Sequence, residues 1–339
     1  MSIYKPGKIL VTGSAGFIGS NFVRFLLKAD REVEIISLDK LTYAGNKKNL
    51  DNLPDDFRHV FIQGDICDRL LVDKLLRDHG IDTVVHFAAE SHVDRSITGP
   101  ADFVQTNIVG TFALLESARV FWLEEKKPDQ IQCRFHHIST DEVYGELGPD
   151  DQLFTENSPY KPSSPYSASK AASDHLVRSY FRTYNLPMTI SNCSNNYGPY
   201  QHAEKLIPTV IRCCLEQKPI PVYGNGSNVR DWLYVEDHCA AVWKILQQGK
   251  VGETYNVGGD CEKDNLSLVK MICAIMDKKR PADKKHESLI SFVTDRPGHD
   301  WRYAIDARKI KEQLLWKQSC SIDEGLNKTV DYYLKNNSV

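Results

Sequence analysis

The sequence predicts an α/β fold, with a doubly wound parallel sheet and a smaller C-terminal substrate-binding lobe, and three observations predict it. Through the first half of the 339-residue chain, short apolar runs alternate with segments of helical apolar spacing. A glycine turn, Gly13-Ser14-Ala15-Gly16-Phe17-Ile18-Gly19, lies between the first such run and the first such helix. Past residue 195 turn residues become frequent, as in Asn195-Asn196-Tyr197-Gly198-Pro199, Tyr223-Gly224-Asn225-Gly226 and Arg296-Pro297-Gly298.

The predicted strands are 8–12, 33–38, 59–63, 82–87, 133–139 and 187–192, and the predicted helices lie near 16–29, 68–79, 101–126 and 166–184. Strict alternation implies a parallel sheet of Rossmann type covered on both faces, with ligands gathering beyond the carboxyl ends of the strands. Residues 1–195 then form the dinucleotide-binding domain, with 231–262 returning to it, while 196–339 mainly build the second lobe. In that lobe 203–217 and 236–247 read as helices and 253–258 as a strand.

Composition narrows the class. Apolar residues make up 41% and charged residues 26%, and the formal net charge of −3 gives no reason to expect nucleic acid. The basic run around Lys278-Lys279-Arg280 is broken by Pro281 and Asp283 and reads as a solvated loop. The first strand begins too soon to leave room for a signal peptide, and no apolar run approaches membrane-spanning length. Nine cysteines without regular spacing read as buried free thiols of a reducing cytoplasm; no metal-binding set is evident.

Gly13, Gly16 and Gly19 stand where a β-carbon would collide with a diphosphate or a neighbouring strand. A plain structural turn is the bland alternative. Asp39, about 20 residues after Gly19 at the end of the second strand, favours a cofactor, with ribose hydroxyls bonded by an acid and NAD preferred to NADP. Asp65 closes the third strand and either reaches the adenine end or caps the following helix. After the fourth strand, Ala88 and Ala89 are small enough for a close cofactor, and a dense polar run, Glu90 to Ser96, follows. His86 reads as a core residue, whereas His92 could face a ligand.

The fifth strand delivers Ser139-Thr140-Asp141-Glu142-Val143-Tyr144-Gly145. Tyr166 and Lys170, four apart, share one helical face, and an ammonium beside a phenol favours phenolate and acid–base work near neutrality.

The discriminating pieces are FAAESHVDRS at 87–96, STDEVYG at 139–145, YSASK at 166–170, NCSNNYGPY at 192–200, EKLIP at 204–208, RDWLYVEDH at 230–238 and DRPGHD at 295–300. With them the chain resembles the extended short-chain dehydrogenases/reductases acting on sugar nucleotides, and within these the dTDP-glucose 4,6-dehydratase family. The resemblance implies a five-residue catalytic set. Tyr166, assisted by Thr140 and Lys170, takes the C4 hydroxyl proton as hydride passes to NAD. Glu142 removes the C5 proton, Asp141 protonates the departing C6 hydroxyl, and hydride returns to C6. Asp141 must then keep its proton beside an ionised Glu142, which two close carboxyls favour by refusing two charges.

Beyond the glycines, Tyr166 and Lys170, the resemblance assigns cofactor contacts to Phe17, Ile18, Asp39, Lys40, Leu41, Thr42, Asp65, Ile66, Ala88, Ala89, Glu90, Thr106 and Asn196. It assigns sugar-nucleotide contacts to His92, Thr140, Asn195, Lys205, Leu206, Tyr223, Arg230, Asn265, Arg296 and His299. The two arginines suit a diphosphate through forked donors. It also implies a homodimer paired through the helices near 101–126 and 166–184. Two positions depart from the pattern: Trp301 replaces the usual arginine after DRPGHD, and Leu314-Leu315-Trp316 replaces Leu-Gly-Trp. A sugar-nucleotide 4-epimerase or reductase, which needs no acid pair, a dehydratase acting on a UDP-sugar, and a dinucleotide-sensing scaffold remain as alternatives.

Overall fold

Consecutive residues of the first strand, β1 (Lys8–Thr12), are buried on opposite faces of a sheet. Leu10 packs with Leu76, Leu115 and Val177, whereas Ile9 and Val11 pack with Phe22, Leu26 and Val242. An unbroken apolar run is what a strand covered by helices on both sides requires. The computed structural model describes residues 3–126, 132–295 and 298–336.

The remaining strands of this sheet are β2 (Glu34–Asp39), β3 (His59–Gln63), β4 (Thr83–His86), β5 (Arg134–Thr140) and β6 (Met188–Cys193). A seventh comes from Thr254–Val257, giving the order β3-β2-β1-β4-β5-β6 and then this edge strand, all parallel. This is the α/β doubly wound sheet that the alternation predicts. Order reverses between β1 and β4, and a crevice opens there beyond the strand ends.

The helices Arg69–His79 and Pro165–Tyr184 cover one face, together with a continuous helical stretch over 100–126. Within that stretch Val104–Gly110 and Val120–Lys126 are wound as π-helix. Helices Phe17–Ala29 and Val235–Gln248 cover the other face. Most predicted boundaries hold to within two residues.

The second lobe holds elements that periodicity does not reveal. Asn195–Tyr197, Val229–Tyr234, Glu262–Asp264 and Arg302–Tyr303 make a four-stranded mixed sheet, and Ile220–Tyr223 pairs with Ile290–Val293. Apart from Val229–Tyr234, these strands have two to four residues, too few for alternation to register. Helices Leu206–Glu216, Asn265–Lys279 and Ile322–Asn336 pack a separate core around Ile211, Ile272 and Val330. The polypeptide crosses back to the large sheet through helix Val235–Gln248 and strand Thr254–Val257.

The departure at Leu315 has a structural cost. It follows helix Arg308–Leu314 with φ +53°, and its side chain is 74% exposed. A left-handed helix end favours glycine, the residue usual at this position among the sequences it resembles. Leu315→Gly is expected to stabilise the protein by about 1 kcal/mol, read as a higher denaturation midpoint with unchanged activity. Neighbouring Trp316 is buried and donates its indole N–H to the Asp237 carbonyl at 3.2 Å.

Candidate active site

The glycine turn takes its shape from contact. Gly13 has φ +68°, and a β-carbon there would lie 2.6 Å from the Ala88 nitrogen; one on Gly19 would lie 2.2 Å from the Gly13 oxygen. The turn therefore runs directly against the end of β4. Asp39 fixes it from the other side, its Oδ2 accepting from Ala15 N at 2.9 Å and its Oδ1 from Leu41 N at 2.8 Å. Burial raises the Asp39 pKa, opposed by these backbone bonds.

Asp65 resolves an open choice: it does not cap the next helix. Asp68 does so, accepting from Leu71 N at 3.1 Å, while Asp65 accepts from Cys67 N and pairs with Lys40 at 2.8 Å. His86 is a core residue with both ring nitrogens engaged, by Thr12 at 2.8 Å and Thr111 at 3.0 Å.

A cavity of about 310 Å³ lies beyond the strand ends. Of the predicted cofactor contacts, Gly13, Gly16, Phe17, Ile18, Gly19, Asp39, Lys40, Thr42, Asp65, Ile66, Ala88, Ala89, Glu90, Thr106, Tyr166, Lys170 and Asn196 line it. Leu41 does not; it turns away with φ +57°, its N–H on Asp39. The same cavity is lined by Thr140, Asp141, Glu142, Asn195 and Lys205, so the acid pair and the glycine turn share one space. Tyr43, Gly45, Ser91, Cys193, Ser194, Gln201, His202 and Glu204 also line it. Ser91, Cys193, Ser194 and Glu204 lie within quoted motifs without a role assigned to them, and Tyr43, Gly45, Gln201 and His202 lie in none, because most come from connections whose path only the fold determines. Asn107 was missed too. From the π-wound segment it accepts from Glu90 N at 2.8 Å and donates to Glu90 O at 3.0 Å, pinning the loop after β4.

The other predicted sugar-nucleotide contacts among the described residues lie outside the cavity lining. His92 stands 3.5 Å from Glu204, and burial and then Lys205 lower its pKa. Leu206 begins a helix of the second lobe, and Asn265 begins another. Arg230 is buried over the Tyr303 ring and donates to the carbonyls of Val229, Asp300 and Trp301. Tyr223 is exposed and meets the ring of His299, which bonds Asp295 at 2.6 Å. Arg296 lies outside the described residues.

Thr140 ends β5, and its hydroxyl bridges the chemistry. It accepts from Glu142 N at 3.2 Å and donates to Asp141 Oδ1 at 3.3 Å. Asp141 is buried, and its Oδ2 has no hydrogen-bond partner. Its pKa is raised well above the ordinary carboxyl value, by burial first, then by Glu142 and Asp231, with Arg230 opposing. Low-dielectric burial leads, ahead of the charge repulsion that two adjacent carboxyls predict.

The tyrosine–lysine pair also differs from its simple expectation. Burial and then Glu142 push the Tyr166 phenol well above its ordinary value, with the bond to Thr140 working the other way. Lys170 is not among the leading influences on the phenol. Its ammonium donates to the Ile138 carbonyl at 2.7 Å, deep against β5. Burial lowers the Lys170 pKa to about 8.

A parallel doubly wound sheet, a glycine turn at its switch point and a helical Tyr-x-x-x-Lys in one cavity define the short-chain dehydrogenase/reductase class. The comparisons are narrower. The family model described as GDP-mannose 4,6 dehydratase matches residues 10–329. The dTDP-glucose 4,6-dehydratase of Neisseria meningitidis serogroup B is 55% identical over 333 residues, covering 97% of this chain and 94% of that protein. The crystal structure of a dTDP-glucose 4,6-dehydratase from Streptomyces venezuelae, with NAD bound, matches with TM-score 0.87 and 46% identity, over 97% of this chain and 98% of that one. A UDP-glucose 4-epimerase from Thermotoga maritima shares the fold at TM-score 0.85 but only 28% identity, over 97% and 99% of the two chains. The chain belongs to the dTDP-glucose 4,6-dehydratase family.

Proposed function

We propose that this chain dehydrates dTDP-glucose to dTDP-4-keto-6-deoxyglucose with NAD as a recycled cofactor. One observation carries the reading: a buried carboxyl, Asp141, whose pKa is raised well above the ordinary carboxyl value, stands beside Thr140 and Glu142 in the cavity that the glycine turn enters. A 4-epimerase or reductase has no use for it. The residues fit NAD. The buried Asn196 Oδ1, in the cavity lining, has no partner in the protein and is placed to meet one. Gly13, Gly16, Asp39, Asp65 and Asn196 would hold the dinucleotide, which when bound supplies the acceptor and donor of hydride.

The protein's own groups move the protons. In its phenolate form, which the Lys170 ammonium favours, Tyr166 receives the C4 hydroxyl proton, with Thr140 hydrogen-bonded to the phenol oxygen. Glu142 abstracts the C5 proton, made acidic by the C4 ketone. Asp141 gives its proton to the leaving C6 hydroxyl, so the group departs as water. Burial of Asp141, Tyr166 and Lys170 keeps competing water from these transfers. Purified protein offered a panel of glucose nucleotides is expected to convert dTDP-glucose with loss of water by mass spectrometry, and deuterium placed at C4 is expected to reappear at C6. Turnover of UDP-glucose alone would move the assignment to the other base.

Residues 1–195 with 231–262 are assigned to cofactor binding and 196–339 mainly to the nucleotide. We place the enzyme in a reducing cytoplasm: its nine cysteines are free and no described helix is long and apolar enough to cross a membrane. The unit is a homodimer. Val104, Val109 and Phe112, exposed along one helical stretch, and Tyr184 at the end of another support this pairing. Sedimentation at micromolar concentration is expected to give twice the 38.5 kDa chain mass; a monomer would contradict it.

A further inference from the structure

Behind the cavity, Lys170 is backed by a buried relay that the proposed chemistry does not use. Asp174 lies one helical turn beyond Lys170, and both it and His137 are completely inaccessible. Its Oδ2 accepts from the hydroxyls of Ser139 at 2.9 Å and Tyr160 at 2.8 Å. Its Oδ1 is left facing His137 Nε2 at 3.2 Å. The same ring nitrogen lies 3.5 Å from the Lys170 ammonium. We propose that His137 and Asp174 are positioning residues for Lys170: the carboxylate, held by two hydroxyls and faced by His137, sets where that ammonium lies and keeps it charged. The inference rests on the proposed function only in giving Lys170 work to do.

The charge logic is one-sided. Burial lowers the His137 pKa to about 4, so the ring is neutral at working pH and adds no charge of its own. Asp174 is held below the ordinary carboxyl range by its bonds to His137 and by Lys170 and Arg178, so it is ionised. For Lys170, burial lowers the pKa, and Asp174 is the leading influence raising it, with Cys193 second. The groups around this relay are His137 on β5, Asp174 and Tyr166 on its own helix, Cys193 on β6 and His86 on β4, with Arg178 behind Asp174. All of these except Asp174 are neutral or cationic at neutral pH. An ammonium with so little water around it therefore depends on Asp174.

The sign follows. Lys170 is useful while protonated, so activity falls as pH rises through its pKa. Removing the Asp174 charge lowers that pKa and brings the fall to lower pH. In Asp174→Asn, kcat is expected to lose its alkaline limb at least one pH unit earlier, a loss of roughly tenfold above both limbs, with KM for the sugar nucleotide unchanged. Asp174→Glu should restore much of it. A direct reading uses no turnover: NMR titration of 13C-labelled lysine, with the Lys170 signal assigned through Lys170→Arg, should show the same displacement in the protein without substrate. That measurement stands even if dTDP-glucose proves not to be the substrate.

Should Asp174→Asn not fold, His137→Leu removes the ring nitrogen that faces Asp174 with little change of volume, and His137→Gln restores a polar group beside that carboxylate. The Lys170 titration should move in the first and return in the second. A folded Asp174→Asn or His137→Leu protein whose Lys170 signal and alkaline limb stay in place overturns the proposal.

Discussion

Asp141→Asn is expected to lower the rate of water loss by about 10²–10⁴-fold while leaving the C4 oxidation in place. The amide copies the shape of the carboxyl and cannot give up a proton to the leaving hydroxyl. Oxidation without elimination strands the hydride on the cofactor, so reduced nicotinamide absorbance should build up on adding dTDP-glucose. Loss of water at the parental rate would remove the acid role.

The same substitution has a second expected result. Asp141 has a raised pKa when folded, so it binds its proton more tightly in the native state than in the unfolded chain. Such a group favours folding fully below the unfolded carboxyl pKa and loses that contribution as pH climbs toward the folded value. Near neutrality the buried acid therefore costs stability, and the neutral amide does not pay that cost. Asp141→Asn should unfold at higher denaturant than the parent at pH 7, with the gap closing toward pH 4. A less stable enzyme that turns over, and a more stable one that does not, is the exchange expected at a strained functional position.

Gly13→Ala carries the largest structural effect. An alanine at φ +68° costs roughly 1–2 kcal/mol. The new β-carbon would also stand 2.6 Å from the Ala88 backbone nitrogen, 2.7 Å from its α-carbon and 2.8 Å from the Phe87 carbonyl carbon. No side chain can rotate away from these atoms, so β4 and its loop must shift, at an overpacking cost of about 1–3 kcal/mol. The loop carries Ala88, Ala89 and Glu90, which line the cavity. We expect NAD affinity, read by calorimetry on protein stripped of cofactor, to fall at least tenfold, with a lower unfolding midpoint. Unchanged affinity would show that the turn does not meet the dinucleotide.

Much of the large sheet was legible along the chain because its strands are buried on two faces. Ile9-Leu10-Val11 and Ile35-Ile36 are unbroken apolar runs for that reason, and the helices between them keep a stripe pattern. The glycine turn, Asp39, the Thr140-Asp141-Glu142 strand end and Tyr166 with Lys170 were legible for a related reason. Their spacing is local, fixed by a turn, a strand terminus or one helical repeat.

What the chain could not give is where side chains from distant segments point. Arg230 reads as a diphosphate ligand, and that pattern does not show that its guanidinium also meets backbone carbonyls, where β-strand register with Arg302–Tyr303 places it. Lys170 was read as the charge that lowers Tyr166, yet folding buries both groups, so desolvation governs each. Asn107 and Asp174 belong to no motif, and they meet the site only where the chain folds back on itself. Local pattern determines which residues can do the chemistry; the dielectric around them and the partners they meet are properties of the packed whole, and only the tertiary structure decides those.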